Sequence, residues 1–314
     1  MTDSEHNNKG SNSLITRRKF LTGLAAGAAT LTLPFGNTDA SIWEEYFRQH
    51  FTRLDKDELK NILANLEKKL SQEYGKDVTV RATPPMENVL FGYAIDLSRC
   101  IGCRKCVYAC VKENNLSRNP EVHWIVNLQF RKNEKWLNME EGNAYYNPEI
   151  VPEKGYYYVP TQCQQCENPP CVKVCPVKAT WKEPDGMIVV DYNWCIGCRY
   201  CMAACPYGAR HFNWGKPYIP KEELNPDMHY LGNRPQYKGV VGKCTWCIQR
   251  TREGRYTACV EICPVGARKF GNMLDPKSEL RYILEHMKVF RLKEDLGTNP
   301  KFFYFFSMGS SVKS

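Results

Sequence analysis

CIGCRYCMAACPYGAR, residues 195–210, places cysteines at 195, 198, 201 and 205, and the rest of the chain is organised around repeats of that spacing. CIGCRKCVYAC repeats it without change as Cys100, Cys103, Cys106 and Cys110. Cys163, Cys166, Cys171 and Cys175 widen the middle gap to four residues, and Cys244, Cys247, Cys259 and Cys263 widen it to eleven. All 16 cysteines of the 314 residues thus lie between 100 and 263, in four quartets. An even count makes a disulfide framework the first alternative. Cysteines two residues apart, repeated in successive pairs, are poorly placed to bridge distant strands and well placed to wrap a soft metal centre.

The spacing points to one kind of centre. Three thiolates in a tight loop can cap three irons of a cubane, while the fourth, one helical turn on, points away toward a second cubane. This is the run found in bacterial ferredoxins, so four [4Fe–4S] clusters are expected, with all sixteen cysteines as iron ligands. Gly102 and Gly197 let the backbone pass close to a cluster, and Pro176, Pro206 and Pro264 end the helical turn after the fourth cysteine of three quartets. The first quartet has Val111 there instead, which leaves its ligand count intact. Four structural zinc sites of four cysteines each are the alternative; zinc sites usually join two separated pairs, whereas two quartets here close within eleven residues.

Composition is that of a globular protein, with 43% apolar residues and a formal charge of +9. A cubane held by four thiolates carries about two negative charges. Four of them offset the excess of Lys and Arg, so the basic charge is no sign of nucleic-acid binding. His123, His211 and His229 lack ligand spacing and read as ordinary surface or core residues.

At the N-terminus LITRRKFL (14–21) contains the pair Arg17 and Arg18, followed by a weakly apolar run and by small residues up to Ala40. That is a twin-arginine export signal, a route taken by folded proteins that already hold their cofactors. No other run reaches the ~18 apolar residues needed to span a bilayer, FFYFF at 302–306 included. Ser41 with Glu44, and Asp55 with Glu58, form capping boxes, and Leu59, Ile62, Leu63, Leu66 and Leu70 make an apolar helical face that Gly75 ends. From Phe91 onward each quartet lies between short β-type runs: GYAIDL, GYYYVP, MIVVDY and KGVVG lead, and KATW, GARHFNW and GARKFG trail.

Through CIGCRYCMAACPYGAR, QQCENPPCVKVCP and KCTWC, the chain resembles the four-cluster iron–sulfur subunits of complexes related to dimethyl sulfoxide, polysulfide and tetrathionate reductases and formate dehydrogenases. The resemblance covers about residues 90–275. It implies an α+β fold of two ferredoxin-like two-cluster modules, one from quartets two and three and one from quartets one and four, with insertions and an N-terminal helical extension. It also implies crossed ligands. One cluster would take Cys163, Cys166, Cys171 and Cys205, and its partner Cys195, Cys198, Cys201 and Cys175. A third would take Cys100, Cys103, Cys106 and Cys263, and the fourth Cys244, Cys247, Cys259 and Cys110. The short interval between quartets two and three supports the inner pairing independently.

The expected organisation is a signal peptide at 1–40, a helical extension at 41–85, a four-cluster domain at 86–275 and a C-terminal docking tail at 276–314. Within the domain, the inner module covers about 156–215 and the outer combines about 90–118 and 238–275. The resemblance implies an electron carrier without a catalytic site of its own, on the periplasmic face of the cytoplasmic membrane. Its partners would be a polytopic quinone-reacting membrane subunit, through which it meets the membrane, and a molybdopterin or multihaem cytochrome subunit. A free soluble periplasmic polyferredoxin is the alternative. The insertions at 111–162 and 211–243 serve as docking surfaces or as loops covering the clusters.

Overall fold

The apolar stripe of Leu59, Ile62, Leu63, Leu66 and Leu70 folds as helix α1 (Lys56–Tyr74). It stops at Gly75, whose φ of 62° and bond from its N–H to Ser71 O at 2.9 Å make a left-handed C-terminal cap. This is a computed structural model, and it describes residues 56–133 and 137–307. The chain divides into two units, Met1–Tyr46 and Phe47–Ser314, and every described residue belongs to the second. The signal read over 1–40 and the helix starts read at Ser41 and Asp55 lie outside the described residues.

After α1 the elements follow as β1 (Thr79–Arg81), β2 (Phe91–Asp96), α2 (Lys105–Glu113), β3 (Val126–Arg131), β4 (Tyr156–Thr161), α3 (Pro170–Lys173), β5 (Thr180–Lys182), β6 (Ile188–Val190), α4 (Tyr200–Ala203), β7 (His211–Phe212), β8 (Asp227–His229), β9 (Val241–Gly242), α5 (Ile248–Thr251), α6 (Ala258–Glu261), β10 (Arg268–Asn272), α7 (Glu279–His286), β11 (Val289–Phe290) and β12 (Phe302–Phe305). Short strands flank each cysteine quartet, as the repeated runs indicated. The fold is α+β.

Strand β2 is buried at all six positions because it is covered on both faces and paired on both edges. Its sheet runs β10-β2-β12-β11, with β10 antiparallel and β12 parallel to β2. The FFYF segment, inside the stretch expected to be a docking tail, is therefore a buried strand at the centre of the body. Helix α7 packs on the same sheet through Leu280 and Ile283, so residues 279–305 belong to the body and do not hang from it. Aromatic packing holds this sheet together: Tyr93 stacks on Phe302 with centroids 4.7 Å apart, and Phe91 on Phe270 at 5.1 Å. Each such pair contributes about 0.5–1.5 kcal/mol beyond its buried area.

Three pairings tie the quartets to each other; one of them, β7 with β9, joins the strand trailing the third quartet to the strand leading into the fourth. Strand β5, trailing the second quartet, pairs antiparallel with β6, which leads into the third. Strand β10, trailing the fourth, pairs with β2, which leads into the first. A separate core of Leu66, Leu70, Val78, Val80, Ile219, Leu224 and Met228 joins α1 to the parallel pair β1-β8 and anchors the insertion between β7 and β9.

Candidate cysteine-lined metal centres

Each quartet begins with the same backbone device. The residue before the second cysteine has positive φ in all four: Gly102 at 76°, Gln165 at 45°, Gly197 at 75° and Trp246 at 52°. The left-handed step curls the loop so that successive thiols face one point. At Gly197 a side chain has no room, since a Cβ would stand 2.1 Å from Gly239 O. In quartets two, three and four a helix of four residues begins one residue before the third cysteine and ends two residues before the fourth.

The loops bring cysteines from different quartets together. One cavity of about 330 Å³ is lined by Cys195, Cys198, Cys201 and, from the second quartet, Cys175. Another of about 340 Å³ is lined by Cys100, Cys103, Cys106 and, from the fourth quartet, Cys263. Cys205 sits in the field of Cys163 and Cys171, and Cys166 in that of Cys163, Cys171 and Cys205. Cys110 faces Cys244, Cys247 and Cys259. All sixteen thiols are free of disulfides. Among the described residues, no group of three or more His, Cys, Asp or Glu is arranged to hold a single metal ion. Thiols of different quartets thus line shared cavities.

Burial pushes the Cys100, Cys166 and Cys244 thiols up to about 12 and Cys201 to about 11, with neighbouring thiolates adding to the effect. Cys110 is raised further, first by burial and then by Cys244 and Cys247. The raised values keep the bare thiols protonated; a cationic iron–sulfide core would deprotonate and bind them.

The polar atoms around the thiols fit an iron–sulfide core. Arg210 lines the first cavity, donates from Nη2 to Cys171 Sγ and Thr180 Oγ1 at 3.0 Å each, and keeps Nε and Nη1 buried without a protein partner. Sulfur acceptors in the cavity would satisfy them. Arg268 donates to Cys106 Sγ at 3.3 Å, to Gln162 Oε1 at 2.9 Å and to Tyr93 OH at 3.2 Å. Tyr93 OH in turn lies 3.2 Å from Cys259 Sγ. Asn114 Nδ2 approaches Cys110 Sγ at 3.5 Å and Cys247 Sγ at 3.7 Å, and Gln162 Nε2 approaches Cys244 Sγ at 3.8 Å.

These donors were missing from the sequence expectations, yet they left a signal there. Arg210 and Arg268 both stand five residues after the fourth cysteine, in CPYGAR and CPVGAR, where a charge interrupts a strand bound for the core. The histidines take the ordinary roles. His229 is buried and satisfied, with Nε2 3.2 Å from Thr83 O and Nδ1 accepting from Leu231 N–H, and burial lowers it to about 3. Burial likewise lowers His211 to about 4, and His123 contacts Glu121.

Two family models, each described as a 4Fe-4S dicluster domain, match the chain, one over residues 154–236 and 230–273 and the other over 99–179. The menaquinone reductase iron-sulfur cluster-binding subunit of Nitratidesulfovibrio vulgaris is 40% identical over 69% of this chain and 88% of its own length. A selenate reductase subunit of Mesobacillus selenatarsenatis is 37% identical over 73% and 76% respectively. A polysulfide reductase polypeptide of Wolinella succinogenes is 35% identical over 68% and 92%. With its cysteine quartets inside the matched stretches, the chain belongs to this family of electron-transferring iron–sulfur subunits of reductase complexes and carries [4Fe–4S] clusters in dicluster domains.

Proposed function

We propose that the chain is a four-cluster electron wire. Its clusters take the crossed sets Cys100, Cys103, Cys106 and Cys263; Cys244, Cys247, Cys259 and Cys110; Cys163, Cys166, Cys171 and Cys205; and Cys195, Cys198, Cys201 and Cys175. The observation that carries the proposal is the pair of cavities in which three thiols of one quartet meet the fourth thiol of another. The β5-β6 and β10-β2 pairings support an inner module from quartets two and three and an outer one from quartets one and four.

The clusters lie in the order just given. Cys106 neighbours Cys259 between the two clusters of the outer module, and Cys163 neighbours Cys244 where the modules meet. When bound, the clusters supply one-electron steps; the protein supplies the ligands, sulfur-directed donors and dry surroundings that set their potentials. Tyr93, Gln162 and Asn114 orient the ligand sulfurs, and the aromatic sheet excludes water from the outer pair.

The wire relays single electrons between a quinone-reacting membrane subunit and a molybdopterin or multihaem cytochrome subunit. It does so on the periplasmic face, after twin-arginine export directed by Arg17 and Arg18. Among the described residues no helix is long and apolar enough to cross a membrane, which supports membrane contact through a partner. The test is purification from gently solubilised membranes followed by addition of a quinol. Copurification with a membrane subunit and bleaching of the cluster absorbance are expected. Recovery solely as a free monomer whose clusters ignore quinol would contradict the proposal.

A further inference from the structure

Among the described residues, six buried cationic side chains divide into two groups. Arg252, Arg234 and Lys301 have carboxylate partners: Arg252 pairs with Asp185 at 2.8 Å and Glu183 at 3.2 Å, Arg234 lies 3.8 Å from Asp191, and Lys301 lies 3.3 Å from Glu167. Arg210, Lys243 and Arg268 are at most 3% exposed and have no carboxylate partner among the described residues. A buried cation without a counter-ion is strongly unfavourable. Their surroundings contain thiols instead.

Each of the three bridges two different ligand sets. Arg210 bonds Cys171 of one inner set while lining the cavity of the Cys195 set. Arg268 bonds Cys106, lines the cavity of the Cys100 set and reaches Cys259 of the adjoining set through Tyr93 OH. Lys243 lies next to the Cys244 set, its Nζ donating to Cys244 O at 2.8 Å; burial opposes its charge, as does Arg210, while Cys163, Cys244 and Cys171 favour it.

On the four-cluster reading above, we infer that Arg210, Lys243 and Arg268 are the fixed counter-ions of the wire, one in each gap between consecutive clusters, and that each raises the reduction potentials of the two clusters it separates. Reduction adds a negative charge to a cubane that already carries about two. A buried cation in low dielectric favours that added electron on either side of it. It also offsets the repulsion that an electron on one cluster exerts on the next. The guanidinium groups serve the gaps inside the modules, and the single lysine serves the gap between them.

The test uses the purified holoprotein and its Arg210→Gln, Lys243→Gln and Arg268→Gln variants, with Arg210→Lys, Lys243→Arg and Arg268→Lys as charge-keeping controls. Iron is counted first, and each cluster is then titrated by electron paramagnetic resonance. Each neutral variant should shift two cluster potentials downward and leave the other two. The shifted pairs should overlap, with the Lys243 variant sharing one cluster with each arginine variant. Charge-keeping variants should match the parent. Unchanged potentials in an iron-replete neutral variant, or charge-keeping variants shifted as far as neutral ones, would overturn the inference. Where a neutral variant fails to hold its iron, the charge-keeping variant decides by the same comparison. Failure of the four-cluster reading would appear separately, as a parent protein holding well below about sixteen iron atoms.

Discussion

Residues 100–115 and 195–210 begin with the same five amino acids, CIGCR, keep the same cysteine spacing, and end in different structures. Through the second cysteine they coincide: Gly102 and Gly197 have φ of 76° and 75°, and Arg104 and Arg199 follow in the left-handed region. Each arginine then lies over an aromatic ring, Arg104 4.3 Å from Tyr146 and Arg199 4.9 Å from Trp214. They part just before the fourth cysteine: α4 ends at Ala203, two residues short of Cys205, whereas α2 runs through Cys110. Pro206 stops α4 at four residues, Gly208 turns the chain at φ 59°, and Arg210 enters between two ligand sets. Val111 lets α2 run on for nine residues to Glu113, and the helix end brings the Asn114 amide to Cys110 and Cys247. The two runs thus bring different groups to the sulfurs, a buried cation in one and a neutral amide in the other.

The largest effect that would break this comparison is expected at Gly197. Gly197→Ala adds a left-handed strain of about 1–2 kcal/mol to a Cβ placed 2.1 Å from the backbone oxygen of Gly239, which cannot swing aside. A loss above about 4 kcal/mol is expected in chemical unfolding, a size reserved for severe local conflicts. Gly102→Ala meets the Tyr158 ring at 2.4 Å, a side chain where Gly197→Ala meets backbone, and should cost less. Equal losses at the two sites would contradict the asymmetry.

Next comes Val111→Pro, which imposes on the first quartet the turn used by the third. A proline inside α2 removes a helical hydrogen bond and clashes one turn back, so about 3 kcal/mol should be lost. Retention of stability, read by thermal unfolding, would show that α2 need not continue past Cys110. The smallest effect is Pro206→Ala, expected to change stability by no more than about 1 kcal/mol, because Gly208 still makes the turn. A large loss in the same assay would place the turn's control in the proline alone.

Much of the site was legible because its chemistry is local. Quartet spacing, the glycines of CIGC and the short flanking runs are all set within about ten residues, and the four loops take the backbone they require. The interior of the sheet was not legible. FFYF pairs in parallel with β2 more than two hundred residues earlier, a register no local pattern specifies, so a short aromatic run near the end looked like a tail. The parallel β1-β8 pair was hidden for the same reason. The counter-ion role of Arg210, Lys243 and Arg268 was not legible either, since only the fold leaves them without carboxylate partners and surrounds them with thiols.

The central claim is that sixteen cysteines, shared crosswise between quartets, hold four cubanes. Its most direct test is iron and acid-labile sulfide per chain in the parent protein and in Cys110→Ala, with each cluster followed by electron paramagnetic resonance. About sixteen of each per parent chain is the predicted result. In the variant, the disturbed signal should belong to the cluster held by Cys244, Cys247 and Cys259, with the Cys100 set intact. Zinc without sulfide, or a disturbance confined to the cluster of Cys110's own quartet, would contradict it.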